Sequence, residues 1–391
     1  MAGEAMYEIC KEQNEDLQVF CLYDQTNQVD TRYFPQAIFH GFNNKKWKFV
    51  AKSVSHGAQC RLVVMSHIHL LPIGYLIKLI SPKTKLILLA HGIEVFKKFS
   101  ILKRRMLQQC DQILAVSRFT KHCLVEQQKL FEDQVKVMNN CLDPFLKEPL
   151  ETEKNQELLK RYGFKRDDVI LMSLCRMSSE EGYKGYDKVI ESLHELQKDH
   201  PGLKYMIAGK YDEKEKKRVE QFIDYFDVKD KVVLTGFIPD SELADHFHLA
   251  DIFIMPSDQE GFGIAFIEAM YYNKPVIAGN KDGSADALLD GRLGVLINPG
   301  NVEDVSKAIQ KMLLHTKQFL PDAQLLKEHF SYPVYRAHWR AVFNNAFGNK
   351  GKVVRGNHEP ILPGTTNSQP PLSDNYPIPT SQKELVPGLK E

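Results

Sequence analysis

Two pairs of charged residues stand at spacings that suit anion and polyol chemistry. Arg176 and Lys184 have seven residues between them in LCRMSSEEGYKGYDKVIESL, and Gly185 follows the lysine directly. Glu260 and Glu268 likewise have seven residues between them in MPSDQEGFGIAFIEAM. Two cations at a strand end, beside a helix N-terminus, make an anion site, and separated cations suit a multidentate anion such as diphosphate. The same cations could instead pair with Glu180 and Glu181 as a solvated loop. Glu260 sits at a helix entrance and Glu268 about two turns further in. A buried carboxylate without a partner costs several kcal/mol. Glu268 therefore needs either hydroxyls of a sugar or ribose, from which carboxylates accept well, or an interdomain lysine. Gly261 and Gly263, flanking Phe262, let backbone N–H groups approach a ligand closely. His91, in AHGIE, ends another apolar run; it reads as a cleft histidine or as a satisfied loop histidine. His67 and His69 in SHIHL, spaced i and i+2, suit packing on one face of a strand better than a metal site.

These residues need elements to hold them. Short apolar, β-rich runs alternate with helical patterns through most of the chain. LQVFCLYD, CRLVVMSH, KLILLAHG, QILAVS and QVKVMNN form a first series. DVILMSLCR, LKYMIAGK, KVVLTGF, DIFIMPS, PVIAGN and GVLINP form a second. Near-continuous apolar strands joined by helices argue for parallel sheets covered on both faces. Two series predict an α/β protein of two doubly wound, Rossmann-like domains facing across a cleft. The expected divisions are residues 1–148, 149–332, a closing helix over 333–348 and a disordered tail over 349–391. In such sheets ligands bind at the carboxyl ends of the strands, where all the residues named above fall.

Lys+Arg is 51 and Asp+Glu 50 in 391 residues, a net charge of +1, which predicts no general affinity for nucleic acid. Seven cysteines without a CxxC pair point to a reducing, cytoplasmic setting without structural zinc. The N-terminus does not read as a signal peptide, and LVVMSHIHLLPIGYLIKLI is too interrupted for a membrane span.

Taken together and in order, the R-x7-KG and E-x7-E motifs and DIFIMPSDQEGFGIAFIEAM resemble the retaining glycosyltransferases of family 4, which have the GT-B fold. LTGFIPDSELADHFHLADIF, NKPVIAGNKDGSADALLDGRLGVLINPGN, ILAVSRFTKHCL and VKVMNNCLDPF fit the same pattern, so the resemblance covers about residues 7–345. It implies transfer of a sugar from a nucleoside diphosphate sugar, GDP- or UDP-linked, to an acceptor hydroxyl, with no cofactor and no metal, in polysaccharide or glycolipid assembly. It implies that Arg176 and Lys184 hold the diphosphate, that the Gly261–Phe262–Gly263 backbone assists, that Glu260 contacts the donor sugar and that Glu268 binds the ribose. His91 would meet donor or acceptor, with Glu94 nearby. The acceptor would be a glycan or a lipid-linked glycan. The basic and apolar stretches EVFKKFSILKRRMLQQC and NNKKWKF would allow peripheral association with an anionic inner membrane face, or they are solvated surfaces. The family's first strand and glycine-rich loop find no counterpart, with only Gly3 hinting at the loop. The expectation is thus a shortened N-terminal domain, with a non-catalytic nucleotide-sugar-binding partner subunit as the alternative function.

Overall fold

The computed structural model describes residues 1–149 and 153–347; the expected disordered tail lies outside the described residues. Within them are twelve strands, β1 (Val19–Cys21), β2 (Phe39–Gly41), β3 (Leu62–Met65), β4 (Lys85–Ala90), β5 (Gln112–Ala115), β6 (Val135–Val137), β7 (Val169–Leu174), β8 (Leu203–Ala208), β9 (Val232–Gly236), β10 (Ile252–Met255), β11 (Val276–Gly279) and β12 (Val295–Ile297). Strands β3-β4-β5-β6 make one parallel sheet, and β12-β11-β10-β7-β8-β9 another. The anticipated α/β architecture of two Rossmann-like units is what forms. β1 and β2 pair in parallel with each other and with neither larger sheet.

The central strands are apolar without alternation because helices cover both faces. Ile170, Leu171 and Met172 of β7 and all of β10 and β11 are buried. Helix Tyr186–Leu196 shows how the sequence makes a cover: Tyr186, Val189, Ile190, Leu193 and Leu196 recur at helical spacing and are buried, leaving its charged residues outward.

The last helix, Tyr332–Phe347, does not stay with the larger sheet. Its Tyr335, Trp339 and Phe343 pack with Ala5 and Ile9 of helix Ala2–Gln13 and with Ile87 and Leu114 of β4 and β5. Arg336 binds Glu8 at 2.6 Å and also Glu12, tying the two helices together. The chain thus crosses between the units twice, and the crossings touch: Leu142 N–H donates to the Phe330 carbonyl at 2.9 Å. All seven cysteines are free thiols, five of them buried. No helix among the described residues is long and apolar enough to cross a membrane.

Trp339 is fully buried at the centre of this helix contact. Trp339→Ala should destabilise the protein by about 3–5 kcal/mol in a denaturant titration. A loss below about 1 kcal/mol would show that the closing helix is no part of the first unit's core.

Candidate functional site at the carboxyl ends of β4, β7 and β10

Strand order decides which loops meet. β10 lies beside β7, so the loop after Leu174 faces the loop after Met255 although about eighty residues separate them. Gly185 allows the approach. Its φ is +76°, and a Cβ there would collide with the Pro256 carbonyl. Asp258 N–H also donates to the Tyr183 carbonyl at 3.2 Å. This contact sets Lys184 against the β10 loop. Its ammonium reaches Glu260 Oε2 at 2.6 Å, with side chains only 12% and 17% exposed. Burial opposes the charge on Lys184, but the Glu260 carboxylate, with smaller help from Tyr183 and Cys175, raises the lysine above its ordinary value. The lysine therefore stays cationic.

Arg176 takes a different position. Its side chain is 67% exposed and its guanidinium pairs with Glu181; the solvated-loop alternative, which paired both cations with Glu180 and Glu181, describes Arg176 but not Lys184. It lines a cavity of about 240 Å³ with Glu180, Lys210, Tyr211 and Asp212 at the ends of β7 and β8. An exposed pair of this kind is weak and exchanges readily. Arg176 and Lys184 thus flank the strand end as two cations of unequal mobility.

Helix Ile264–Tyr271 begins later than its sequence suggests. Gly263, with φ +87°, precedes it, and Gly261 and Phe262 lie in the loop before it. The Phe262 side chain is buried against Phe330 at the domain crossing, so only its backbone remains for a ligand. Glu268 is half-buried inside this helix. Its carboxylate has no hydrogen bond or ion pair to any described residue, and the interdomain lysine that would make it structural is not there. Burial pushes its carboxyl up to about 7, and the charges of Asp143 and Asp240 add to the effect. A carboxylate facing two others without a cation is hard to explain as packing.

On the opposite wall, His91 Nε2 lies 2.7 Å from the Ser66 carbonyl. A carbonyl only accepts, so Nε2 carries a proton, and in the neutral form of the ring Nδ1 is an acceptor. Glu94 accepts from His91 N–H at 2.6 Å, which fixes the turn. Gly92, at φ +130°, lies directly against Gly261: a Cβ on Gly261 would strike the His91 carbonyl. The two units therefore touch backbone to backbone at the site. Arg118 adds a clasp, its Nε 2.6 Å from Asp286 Oδ1 and its Nη2 2.5 Å from Asp290. His67 and His69 stack edge to face with centroids 4.6 Å apart, and His69 N–H donates to His67 Nδ1 at 3.2 Å. Among the described residues no three His, Cys, Asp or Glu side chains group as a metal site.

Sequence reasoning missed Arg118, Asp286 and Asp282. Asp282 is a fully buried carboxylate in the loop after β11 that binds the loop carrying Glu260. The only local signal for it was KDGS, an acidic residue before a glycine at a strand end.

Residues 154–320 match the family model described as "Glycosyl transferases group 1". The chain is 30% identical over 178 residues to a GDP-mannose-dependent alpha-(1-6)-phosphatidylinositol monomannoside mannosyltransferase of Mycolicibacterium smegmatis, covering 44% of each protein. It is 25% identical over 218 residues to mannosylfructose-phosphate synthase of Agrobacterium fabrum, covering 54% of this chain and 47% of that protein. The chain spans about half the length of these curated relatives. Among solved structures, Anabaena Alr3699/HepE in complex with UDP superposes with a TM-score of 0.73 at 18% identity, over 88% of this chain and 96% of that one. Sucrose-phosphate synthase from Thermosynechococcus elongatus superposes with a TM-score of 0.71 at 17% identity, over 88% and 91%. The match to the group 1 model thus falls on residues 154–320, within a two-unit fold of the GT-B type.

Proposed function

We propose that the protein is a retaining glycosyltransferase that moves a hexose from a nucleoside diphosphate sugar to an acceptor hydroxyl. The observation that carries this reading is the unpartnered Glu268, on the same β10–helix segment as Glu260, which Lys184 reaches from the loop after β7. A cation held charged for a diphosphate, from the loop after β7, and a carboxylate open to ribose hydroxyls, from the helix after β10, stand on adjoining strand ends. The group 1 domain match and the transferase names of the relatives support it.

In this mechanism the diphosphate oxygens compete with Glu260 for Lys184 and draw Arg176 away from Glu181. The N–H groups from Gly261 to Gly263 face the same anion. These fixed donors stabilise charge as the diphosphate leaves, the main source of rate in such chemistry. Glu260, released in part from Lys184, accepts from donor-sugar hydroxyls, and Glu268 accepts from the ribose. His91 Nδ1 accepts from a hydroxyl of the donor sugar or of the acceptor. In a front-face retaining reaction the departing phosphate oxygen takes the acceptor's proton, so no further base is required of the protein.

The donor is a UDP- or GDP-sugar, and the acceptor is a glycan or lipid-linked glycan at the cytoplasmic membrane face. Exposed Ile101 and Leu102, close in sequence to Lys97, Lys98 and Arg105, with exposed Leu79 and Ile80 at the end of an earlier helix, support peripheral membrane contact.

Thermal melting of the protein with UDP, GDP, ADP and CMP, each with and without magnesium, tests the reading. One nucleotide at about 100 times its Kd should add near 2.7 kcal/mol of stability. Lys184→Ala should abolish that gain. A folded protein stabilised by none of the four would overturn the proposal.

Glu268 makes a second, sharper prediction. Its carboxyl is raised in the folded state, so folding favours the neutral form. The resulting stability is fully present below the ordinary carboxylate value near 4.5 and is lost as pH rises through about 7. Glu268→Gln should therefore melt above the wild type at pH 8, by about 1–2 kcal/mol after allowance for solvent screening, and converge with it at pH 5. The same variant should bind the nucleotide about tenfold more weakly. Greater stability with weaker binding identifies a functional carboxylate; lower stability at pH 8 would identify a structural one.

A further inference from the structure

Asp282 lies between β11 and the turn Ser284–Ala287 and is completely buried. Its Oδ2 accepts from Ser257 Oγ at 2.8 Å and from Glu260 N–H at 2.6 Å, and its Oδ1 accepts from Ser284 N–H at 2.9 Å. The next residue completes the grip: Gly283 N–H donates to the Glu260 carbonyl at 2.9 Å. Both polar groups of the Glu260 backbone are thus held from the neighbouring strand's loop.

The surroundings leave no slack in this grip. A Cβ on Gly283 would collide with the Gly261 carbonyl, and one on Gly261 with the His91 carbonyl. The β10 loop is therefore clamped between the β11 loop and the other unit. The turn that follows Asp282 also carries Asp286, which receives Arg118 across the domain boundary. Fixing a loop does not by itself call for a charge. Ser257 and Ser284 already place hydroxyls here, 3.3 Å apart, and a neutral side chain would tie the loop at lower desolvation cost. No cation pairs with Asp282 among the described residues, and burial with the nearby Glu260 charge pushes its carboxyl up to about 7. A carboxylate kept under those conditions has a specific target, the peptide of Glu260.

We propose that Asp282 is the positioning residue of the donor site. It fixes the Glu260 peptide and, through it, the Lys184–Glu260 pair and the N–H groups of Gly261–Gly263 in the geometry that receives a nucleoside diphosphate. This rests on the transferase reading above. Asp282 touches no ligand itself; it acts on the ligand only through Glu260 and the loop.

The test is calorimetric titration of UDP and GDP into the full chain as wild type, Asp282→Asn, Glu260→Gln and the double variant, with amide hydrogen exchange on each. Asn presents one acceptor oxygen in place of two, so it cannot serve all three donors. Asp282→Asn should weaken the nucleotide that binds the wild type by about tenfold. The double variant should bind no more weakly than the weaker single variant, because both act through one group. Exchange should quicken over 257–264 and stay unchanged in the rest of the larger unit. Should Asp282→Asn not fold, Ser257→Ala removes one donor to the same oxygen and should show the same non-additivity with a loss of about threefold. Unchanged affinity, additive losses, or exchange that rises through the whole unit would each overturn the proposal. Wild-type protein that binds neither nucleotide would overturn the transferase reading and this one with it. Wild-type binding with Asp282→Asn unaffected would overturn this one alone.

Discussion

Three loops meet backbone to backbone at Gly261, and no side chain fits between them. Gly92 comes from the β4 end, Gly261 from the β10 end and Gly283 from the β11 end. The contact holds the Gly261 main chain between the other two loops, a place that a larger residue could not take. It also couples everything near it. Glu260 is carried by the middle loop, His91 by the first and Asp282 by the third. A shift of one loop must be met by the other two, because packed backbone does not compress.

The charges of the site fall into three states. Lys184 and Glu260 form a buried pair, in which each offsets the other's loss of hydration. Arg176 and Glu181 form an exposed pair, which water screens and which contributes little stability. Glu268 has no partner. This gradation suits a site that receives a polyanion with attached hydroxyls. One cation is rigid and desolvated, one can swing, and one acceptor stands open. The clasp of Arg118 on Asp286 and Asp290 lies outside this set and holds the two units together, with burial and two carboxylates acting on one guanidinium.

Much of this was legible beforehand. The alternation of apolar runs with amphipathic helices named the α/β architecture, because a strand buried on both faces has few other ways to read. The R-x7-KG and E-x7-E spacings placed cations and carboxylates at strand ends. The helix containing Glu268 was evident from its apolar face, and so was the need for something beside the carboxylate. Other features were not legible. LQVFCLYD reads as a full strand but yields only the three residues of β1, outside the larger sheets. GFG reads as the start of a helix but forms the loop before it, because Gly263 takes a left-handed conformation. Asp282 carried only the weak signal of KDGS, and Arg118 carried none.

The sequence by itself determined local outcomes: which segments become strands, where they end, and which residue types stand at those ends. These follow from periodicity and turn chemistry within a few residues. Tertiary structure decided the pairings. Lys184 could have met Glu180 or Glu181, its near neighbours, and instead meets Glu260, 76 residues away. The reason is sheet order. Strand β10 inserts beside β7, and β11 beside β10, so loops remote in sequence become adjacent at one end of a parallel sheet. No window of sequence contains that order, because it is fixed by the joint burial of all the strands and helices at once.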